Sequence, residues 1–356
     1  MKNIKVILIA FCGLLFLALP ARAGNPDRTA QSGASELLVN PWARAAGWNW
    51  INIASVRGME AMRLNVGGLA FINGSEFNFS HTEYLMGWGV RINALGFGQK
   101  IGEGALGLSV TSFDFGDIEI TTNDQPEGGL GTYKPQFLNI ELAYGHSFAD
   151  FIHGGIVVKI ISESISNVRA QGIALDAGLV YNTGPEAFPE RFKFGVSLRN
   201  IGTPMKYSGD GLNFRTDVIT GDYQANVGQL SQQFELPSQL NIGASYDFYV
   251  QSKHRLTVAA SFTSNAFYKD QFGLGAEYGL KVRNREMIVL RAGYKYEPGL
   301  LNPATNTNAH NGISGGFTLN VPFRKDKMQP MMGIDYGYRG STAFGGTHAL
   351  GIRLNF

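Results

Sequence analysis

Along most of this chain the apolar residues fall at every second position. In the closing stretch Leu350, Ile352, Leu354 and Phe356 share one parity, while Ala349, Gly351, Arg353 and Asn355 share the other. The same rhythm runs through 239–250, with Leu240, Ile242, Ala244, Tyr246, Phe248 and Val250 opposed to Asn241, Gly243, Ser245 and Asp247. It recurs in 172–181, 191–199, 272–281 and 288–297. Strict alternation predicts strands with one apolar face and one small or polar face. In each case the second face mixes glycine with charge, and the apolar face often starts or stops on Phe or Tyr. A soluble sandwich has the opposite chemistry, with a bulky inner face and a polar outer one. An apolar face bounded by aromatic girdles suits a barrel whose outside meets lipid.

The pattern predicts about fourteen strands, at 76–84, 86–97, 104–114, 134–146, 151–164, 170–182, 191–201, 237–250, 254–264, 270–282, 286–297, 311–322, 328–339 and 346–356. Their number is even and their lengths suit tilted spanning strands. The long connections, near 115–133, 202–236 and 298–310, all follow odd-numbered strands, and short ones such as 146–150 and 250–254 follow even-numbered strands. With the N-terminus periplasmic, this gives long outside loops and short periplasmic turns. The first hairpin, around Leu85, is expected to have almost no loop. The fold class expected is therefore all-β, a transmembrane antiparallel barrel over 76–356.

Two segments precede it. Lys2 and Lys5, an apolar run from Val6 to Leu19 and an Ala-x-Ala exit read as a signal peptide over 1–23, cut after Ala23. The run is too short for a comfortable spanning helix, and no later run reaches the roughly 18 apolar residues that one needs. Residues 24–75 do not alternate. Trp42, Trp48, Trp50, Ile51 and Ile53 make this segment too apolar for a disordered tail, so it is expected to sit in the barrel as a plug. "SVRGMEAMRLN" has a short helical look, ended by Gly67-Gly68.

Composition narrows the function. The one cysteine, Cys12, lies in the leader, which removes disulfide and thiol chemistry from the mature chain. Taking away Lys2, Lys5 and Arg22 leaves 27 basic residues against 28 acidic, so no polybasic surface for nucleic acid follows. "GEGALG" (102–107) lies at a hairpin with no helix after it, and "GISGG" (312–316) puts Ser314 on an alternating strand; neither context supports the phosphate loop or the hydrolase elbow. The six histidines are scattered without ligand spacing. Asp114, Asp117, Glu119, Asp124 and Glu127 read as a solvated acidic loop in preference to a calcium site. Lys159, Asp176, Lys193, Arg199, Asp247, Glu277, Lys281, Arg291, Lys295 and Arg353 fall on the lumen parity, where both signs together suit a salt-bridged interior more than a permeation path. No catalytic constellation, cofactor or metal is implied, and the chain reads as a non-enzyme.

The runs "ARAAG", "NIAS" and "EAMRLNVGGLAF" resemble the opening of FadL-like outer-membrane proteins, and more specifically the PorV/PorQ family associated with type IX secretion. "FDFGDIEITT", "IVVKIISESI", "ALDAGLVY" and "LRNIGTPMKY" are similar to further family blocks in the same order, so the resemblance covers roughly Pro41 to Tyr207. Val66 stands where the family has Pro, and Trp48-Asn49 where it has Met-Gly. The resemblance implies a plug motif at Asn65, Gly67, Gly68 and Leu69. It also implies a bacterial outer-membrane location and a role in protein export, in which the barrel binds a secretion translocon or exported surface proteins. The 202–236 loop is the expected docking surface. The alternative is a FadL-like transporter of hydrophobic small molecules, which needs an apolar pocket near the plug and a lateral opening at a strand kink. Leu350, Ile352, Leu354 and Phe356 resemble the terminal signal read by the outer-membrane assembly machinery; outer-membrane lipid is the other partner implied.

Overall fold

The computed structural model describes Arg28 and residues 31–185, 190–217, 223–251, 253–282, 285–323 and 330–356. The expected leader, with Cys12 and the cleavage point at Ala23, lies outside the described residues. Fourteen antiparallel strands close into one barrel. In chain order they are β1 (Ser75–Tyr84), β2 (Val90–Ile101), β3 (Gly104–Asp114), β4 (Gln136–Ala149), β5 (Ile152–Ile165), β6 (Val168–Thr183) and β7 (Phe192–Gly202). They continue as β8 (Gln239–Val250), β9 (His254–Asn265), β10 (Gln271–Val282), β11 (Arg285–Tyr296), β12 (His310–Pro322), β13 (Met331–Ser341) and β14 (Thr347–Asn355). Each pairs with the next, and β1 closes the ring on β14 in a register running from Glu76 opposite Asn355 to Glu83 opposite His348. Closure leaves no strand edge unpaired, which is the condition for crossing lipid with strands.

The alternation is realised residue by residue. Along β6, Ile173, Leu175 and Leu179 are exposed on the outside, while Ala174, Asp176 and Val180 are buried within. The second strand is displaced from its expected place at 86–97. Leu85 (φ 50°), Gly87 (φ 108°) and Gly89 (φ 72°) take left-handed conformations, and these build a five-residue turn where almost none was expected. The connections at 115–135, 203–238 and 297–309 all lie on the rim where odd-numbered strands end. Three short antiparallel pairs decorate that rim, among them an arm formed by Asn213–Asp217 and Gln224–Gly228.

Residues 31–74 fill the lumen. They form a 3-10 turn at Ser35–Leu38, one short α-helix, α1 (Ala43–Gly47), and 3-10 turns at Met59–Arg63 and Val66–Phe71. The helix expected in "SVRGMEAMRLN" is thus a single 3-10 turn. Gly58 (φ 78°) starts it, and extended Asn65 separates it from the next turn, which contains Gly67-Gly68 where these were expected only to follow. Trp42, Trp48, Ile51, Ile53, Met59, Met62 and Leu69 are fully buried. So short a segment has no core of its own, and the glycine face of the wall supplies one. A methyl group at Gly275 would lie 2.8 Å from the Trp48 ring, and one at Gly96 would lie 3.0 Å from both Trp42 and Met59. Many of the chain's 46 glycines are therefore room made for the plug. Each large apolar side chain buried this way contributes about 1.5–3 kcal/mol.

The N-terminal end of this segment lies away from the start of β1. It packs at the long-loop rim: Gly33 N–H donates to the Glu235 carbonyl at 3.1 Å, and Arg28 pairs with Glu235 at 2.6 Å. Ala34 and Leu37 join Ile161, Ala170, Ala174, Met205 and Leu236 in one apolar cluster there. From this anchor the chain descends through the lumen to begin β1 at the opposite, short-turn rim.

Candidate functional site

The Val66–Phe71 turn of the plug packs against the wall formed by β3 to β6. Asn65 is the hub: its Nδ2 donates to the carbonyls of Ile53 (3.1 Å) and Leu179 (2.9 Å), and its Oδ1 accepts from Gly67 N–H at 3.2 Å. This turn lies so near the wall that a methyl group at Gly67 would sit 2.8 Å from the His153 carbonyl. Gly68 backs onto Val56 and Ala61 inside the plug. Leu69 packs with Met59, Met62, Val66, Ile72, Ala105, Ala143 and Val157. The structure therefore brings Asn65, Gly67, Gly68 and Leu69 together at one place. Leu350, Ile352, Leu354 and Phe356 lie elsewhere, at the β14 seam. Leu350, Ile352 and Phe356 are exposed outward and Leu354 is half-buried, while the Phe356 backbone exchanges bonds of 2.9 and 3.2 Å with Ser75.

The same stretch of wall carries a bulge. The β6–β7 register slips between Leu175 and Ala177, and Asn200 takes φ 59°. Asp176 turns inward at the slip. Its Oδ1 accepts from Asn200 N–H at 2.7 Å, and Lys159 Nζ reaches both its Oδ2 (2.5 Å) and Asn200 Oδ1 (2.9 Å). Arg199 approaches Asp176 at 3.8 Å, and Arg63 of the plug pairs with Glu141 of β4 at 2.8 Å with both side chains wholly buried. This network fills the bulge from within. Beside it, on the outer face of β4–β6, Tyr144, Phe148, Ile156 and Leu179 border an apolar groove of about 510 Å³ floored by Gly154, Gly155 and Gly178. Val66 lies directly behind that floor, its Cγ2 3.0 Å from where a Gly155 methyl would stand. One backbone layer separates the plug from the barrel's outer face here.

On the other side of the plug a polar cavity of about 320 Å³ lies at the short-turn rim, between α1 and β7–β14. Ion pairs line it: Lys193–Asp247 (2.5 Å), Arg255–Glu277 and Arg255–Glu286 (2.6 Å each) and Arg291–Glu277 (2.6 Å). In the plug Arg44 pairs with Glu60 at 3.2 Å. Burial alone would lower the Arg44 guanidinium, but the carboxylates of Glu60, Asp335, Glu76 and Glu277 together more than offset this and hold it above its ordinary value. The lumen-parity charges chosen from sequence are thus mostly paired. Of the others, Lys295 sits over the Trp50 ring, Lys281 over the Tyr249 ring, and Arg353 donates to Asn320.

Sequence reasoning missed Glu36, which is buried beside Glu163 under the 203–238 connection, with the Tyr207 hydroxyl donating to Glu163. Burial and then the neighbouring Glu163 carboxylate push the Glu36 carboxyl up to about 8. It was invisible because Glu36 belongs to a non-repeating segment. The remaining motifs stay apart. Ser314 Oγ donates to the Gly47 carbonyl at 3.2 Å, and Gly102 forms the β2–β3 turn. The histidines bond to separate wall neighbours, such as His81 to Asn93 and His348 to Tyr336. Asp114 pairs with Lys134 at 3.2 Å, and among the described residues no group of three or more His, Cys, Asp or Glu is placed to hold a metal.

No protein-family profile matches the chain, nor does any curated protein. Solved structures do. The toluene transporter TbuX of Ralstonia pickettii matches at 13% identity and TM-score 0.53, over 89% of this chain and 99% of that one. The monoaromatic hydrocarbon channel CymD matches at 13% and 0.53, over 89% and 96%. A FadL homologue of Pseudomonas aeruginosa matches at 14% and 0.51, over 88% and 98%. At such identities the likeness is one of fold: this chain has the closed, FadL-like barrel architecture of outer-membrane transporters.

Proposed function

We propose that the protein is a non-enzymatic outer-membrane transporter that passes hydrophobic small molecules, in the manner of the FadL-like barrels whose fold it shares. The observation that carries this reading is the apolar groove on the membrane side of a glycine floor one backbone thick, with the plug's Asn65–Leu69 turn immediately behind it and the β6–β7 bulge beside it. The cavity at the short-turn rim is lined by charge and gives an apolar molecule no favourable path. A sideways route past the plug into the groove keeps such a molecule out of water.

The test is uptake of labelled toluene by whole cells of a host without a barrel of this kind, with and without the protein. Expression is expected to raise uptake several-fold. Gly154→Trp, whose side chain would point into the groove towards Leu179 and Phe148, is expected to remove most of the gain while the barrel still folds. Uptake equal to that of the empty host would overturn the reading.

One observation favours the export role of PorV/PorQ-like barrels as a second reading. The arm formed by Asn213–Asp217 and Gln224–Gly228 stands off the long-loop rim with Phe214, Tyr223 and Val227 exposed, and Leu230 beyond it is 89% exposed. Exposed apolar residues clustered on one loop suit contact with a protein partner. Deleting 213–228 separates the readings: an export role would be lost, and uptake retained.

A further inference from the structure

The outer face of β4, β5 and β6 changes character towards the long-loop rim, at the end away from the apolar groove. Register shows the change row by row. Leu142, Val158 and Leu175 stand side by side across the three strands, and Ile140, Ile160 and Ile173 form the next outward row. In the following row Leu138 is joined by Ser162 and Gln171, and the last holds Gln136, Ser164 and Arg169. The apolar band therefore stops abruptly here, and the level just past such a band is where lipid headgroups lie.

The connection after β7 returns over this polar patch. Arg169 and Ser208 exchange backbone bonds of 2.8 and 2.9 Å. Met205 and Tyr207 pack inward with Leu37 and Ile161, so Lys206 and Ser208, of the other parity, face out beside Arg169. These residues border one open cavity of about 900 Å³, with Ser162, Ser164 and Gln171 on its strand side. Its lining includes two cations, Arg169 and Lys206, and no carboxylate. Glu163, between the two serines, turns inward and is buried. Among the described residues neither Arg169 nor Lys206 makes an ion pair. A guanidinium and an ammonium on one cavity, with hydroxyl and amide groups between them, suit a phosphate that carries further hydroxyls.

We propose that this cavity binds the phosphate headgroup of an anionic lipid. Arg169 and Lys206 hold the phosphate, the serine and glutamine side chains meet the headgroup hydroxyls, and the lipid chains lie down the Ile140–Ile160–Ile173 row. The occupant is a lipid and not free phosphate because the apolar rows continue directly from the cavity floor, where Leu138 lies. The site is independent of the sideways route for apolar molecules.

The test is native mass spectrometry of the full-length protein in a non-ionic detergent, titrated with phosphatidylglycerol, with phosphatidylcholine and with inorganic phosphate. Phosphatidylglycerol is expected to bind with a dissociation constant below about 100 μM, at least about fivefold more tightly than phosphatidylcholine. Arg169→Gln and Lys206→Gln should each weaken it by about fivefold. Arg215→Gln, which removes an exposed cation of the neighbouring arm, should leave it unchanged. All three side chains are exposed, so the variants are expected to fold, as retained gel mobility of the unboiled barrel would show. Equal binding of the two lipids, equal loss in Arg215→Gln, or no loss in Arg169→Gln and Lys206→Gln would overturn the proposal. Inorganic phosphate binding as tightly as phosphatidylglycerol would overturn the lipid as occupant.

Discussion

Glu36 and Glu141 show what single residues contribute to holding the plug. The Glu36 carboxyl is raised from 4.5 to about 8, so its docked form is the protonated one. Its contribution to stability is complete below about pH 4.5, is eroded as pH rises and is gone above about 8, because only the released segment ionises without penalty. The heat-induced unfolding midpoint is therefore expected to fall between about pH 6 and about pH 9, and the fall should be smaller in Glu36→Gln; identical pH profiles for the two would contradict this. Glu141→Leu removes the partner of fully buried Arg63, which should cost about 3–5 kcal/mol. Denaturant unfolding followed by tryptophan fluorescence reads that loss directly. Neither effect was legible from the sequence. Period-two parity places a residue on a face of the wall, but it cannot say which plug residue stands opposite.

The elements were far more legible, and for a physical reason. A strand with lipid on one side and a plug on the other must alternate, so the pattern carries its own register. Strands β3 to β14 accordingly lie where alternation placed them. The exception, β2, begins later because Leu85, Gly87 and Gly89 turn through positive φ, a backbone choice that leaves no periodic trace. The plug was legible only as apolar and non-alternating. Its 3-10 turns depend on wall glycines too distant in sequence to be read as partners, such as Gly195, where a methyl group would lie 2.8 Å from the Ile53 carbonyl. Gly195→Val is expected to destabilise the barrel by about 1–3 kcal/mol through overpacking, seen as a lower temperature for loss of the compact gel form. At the seam, deleting Phe356 removes both backbone bonds to Ser75 and an exposed aromatic ring. Outer-membrane levels should drop sharply if this strand end serves as the assembly signal; unchanged levels would remove that role.

At the scale of the whole molecule, the lumen divides the chemistry. The plug packs the centre of the barrel, the short-turn rim holds a charge-lined cavity, and the outer face of β4–β6 carries an apolar groove. Composition foreshadowed the first two through its tryptophans, glycines and lumen-parity charges. The groove was not foreseen, because it arises where Gly154, Gly155 and Gly178 from two strands meet, and no single strand shows it. Transport of apolar molecules and docking of an export partner make opposite demands on what accompanies the barrel in its membrane. Gentle detergent purification from native outer membranes, followed by mass spectrometry of the proteins and small molecules that come with it, separates them most directly. The account predicts a barrel carrying bound apolar small molecules and no other protein at comparable abundance. A translocon component or exported surface protein at near-equal abundance, with no apolar molecule bound, would contradict it.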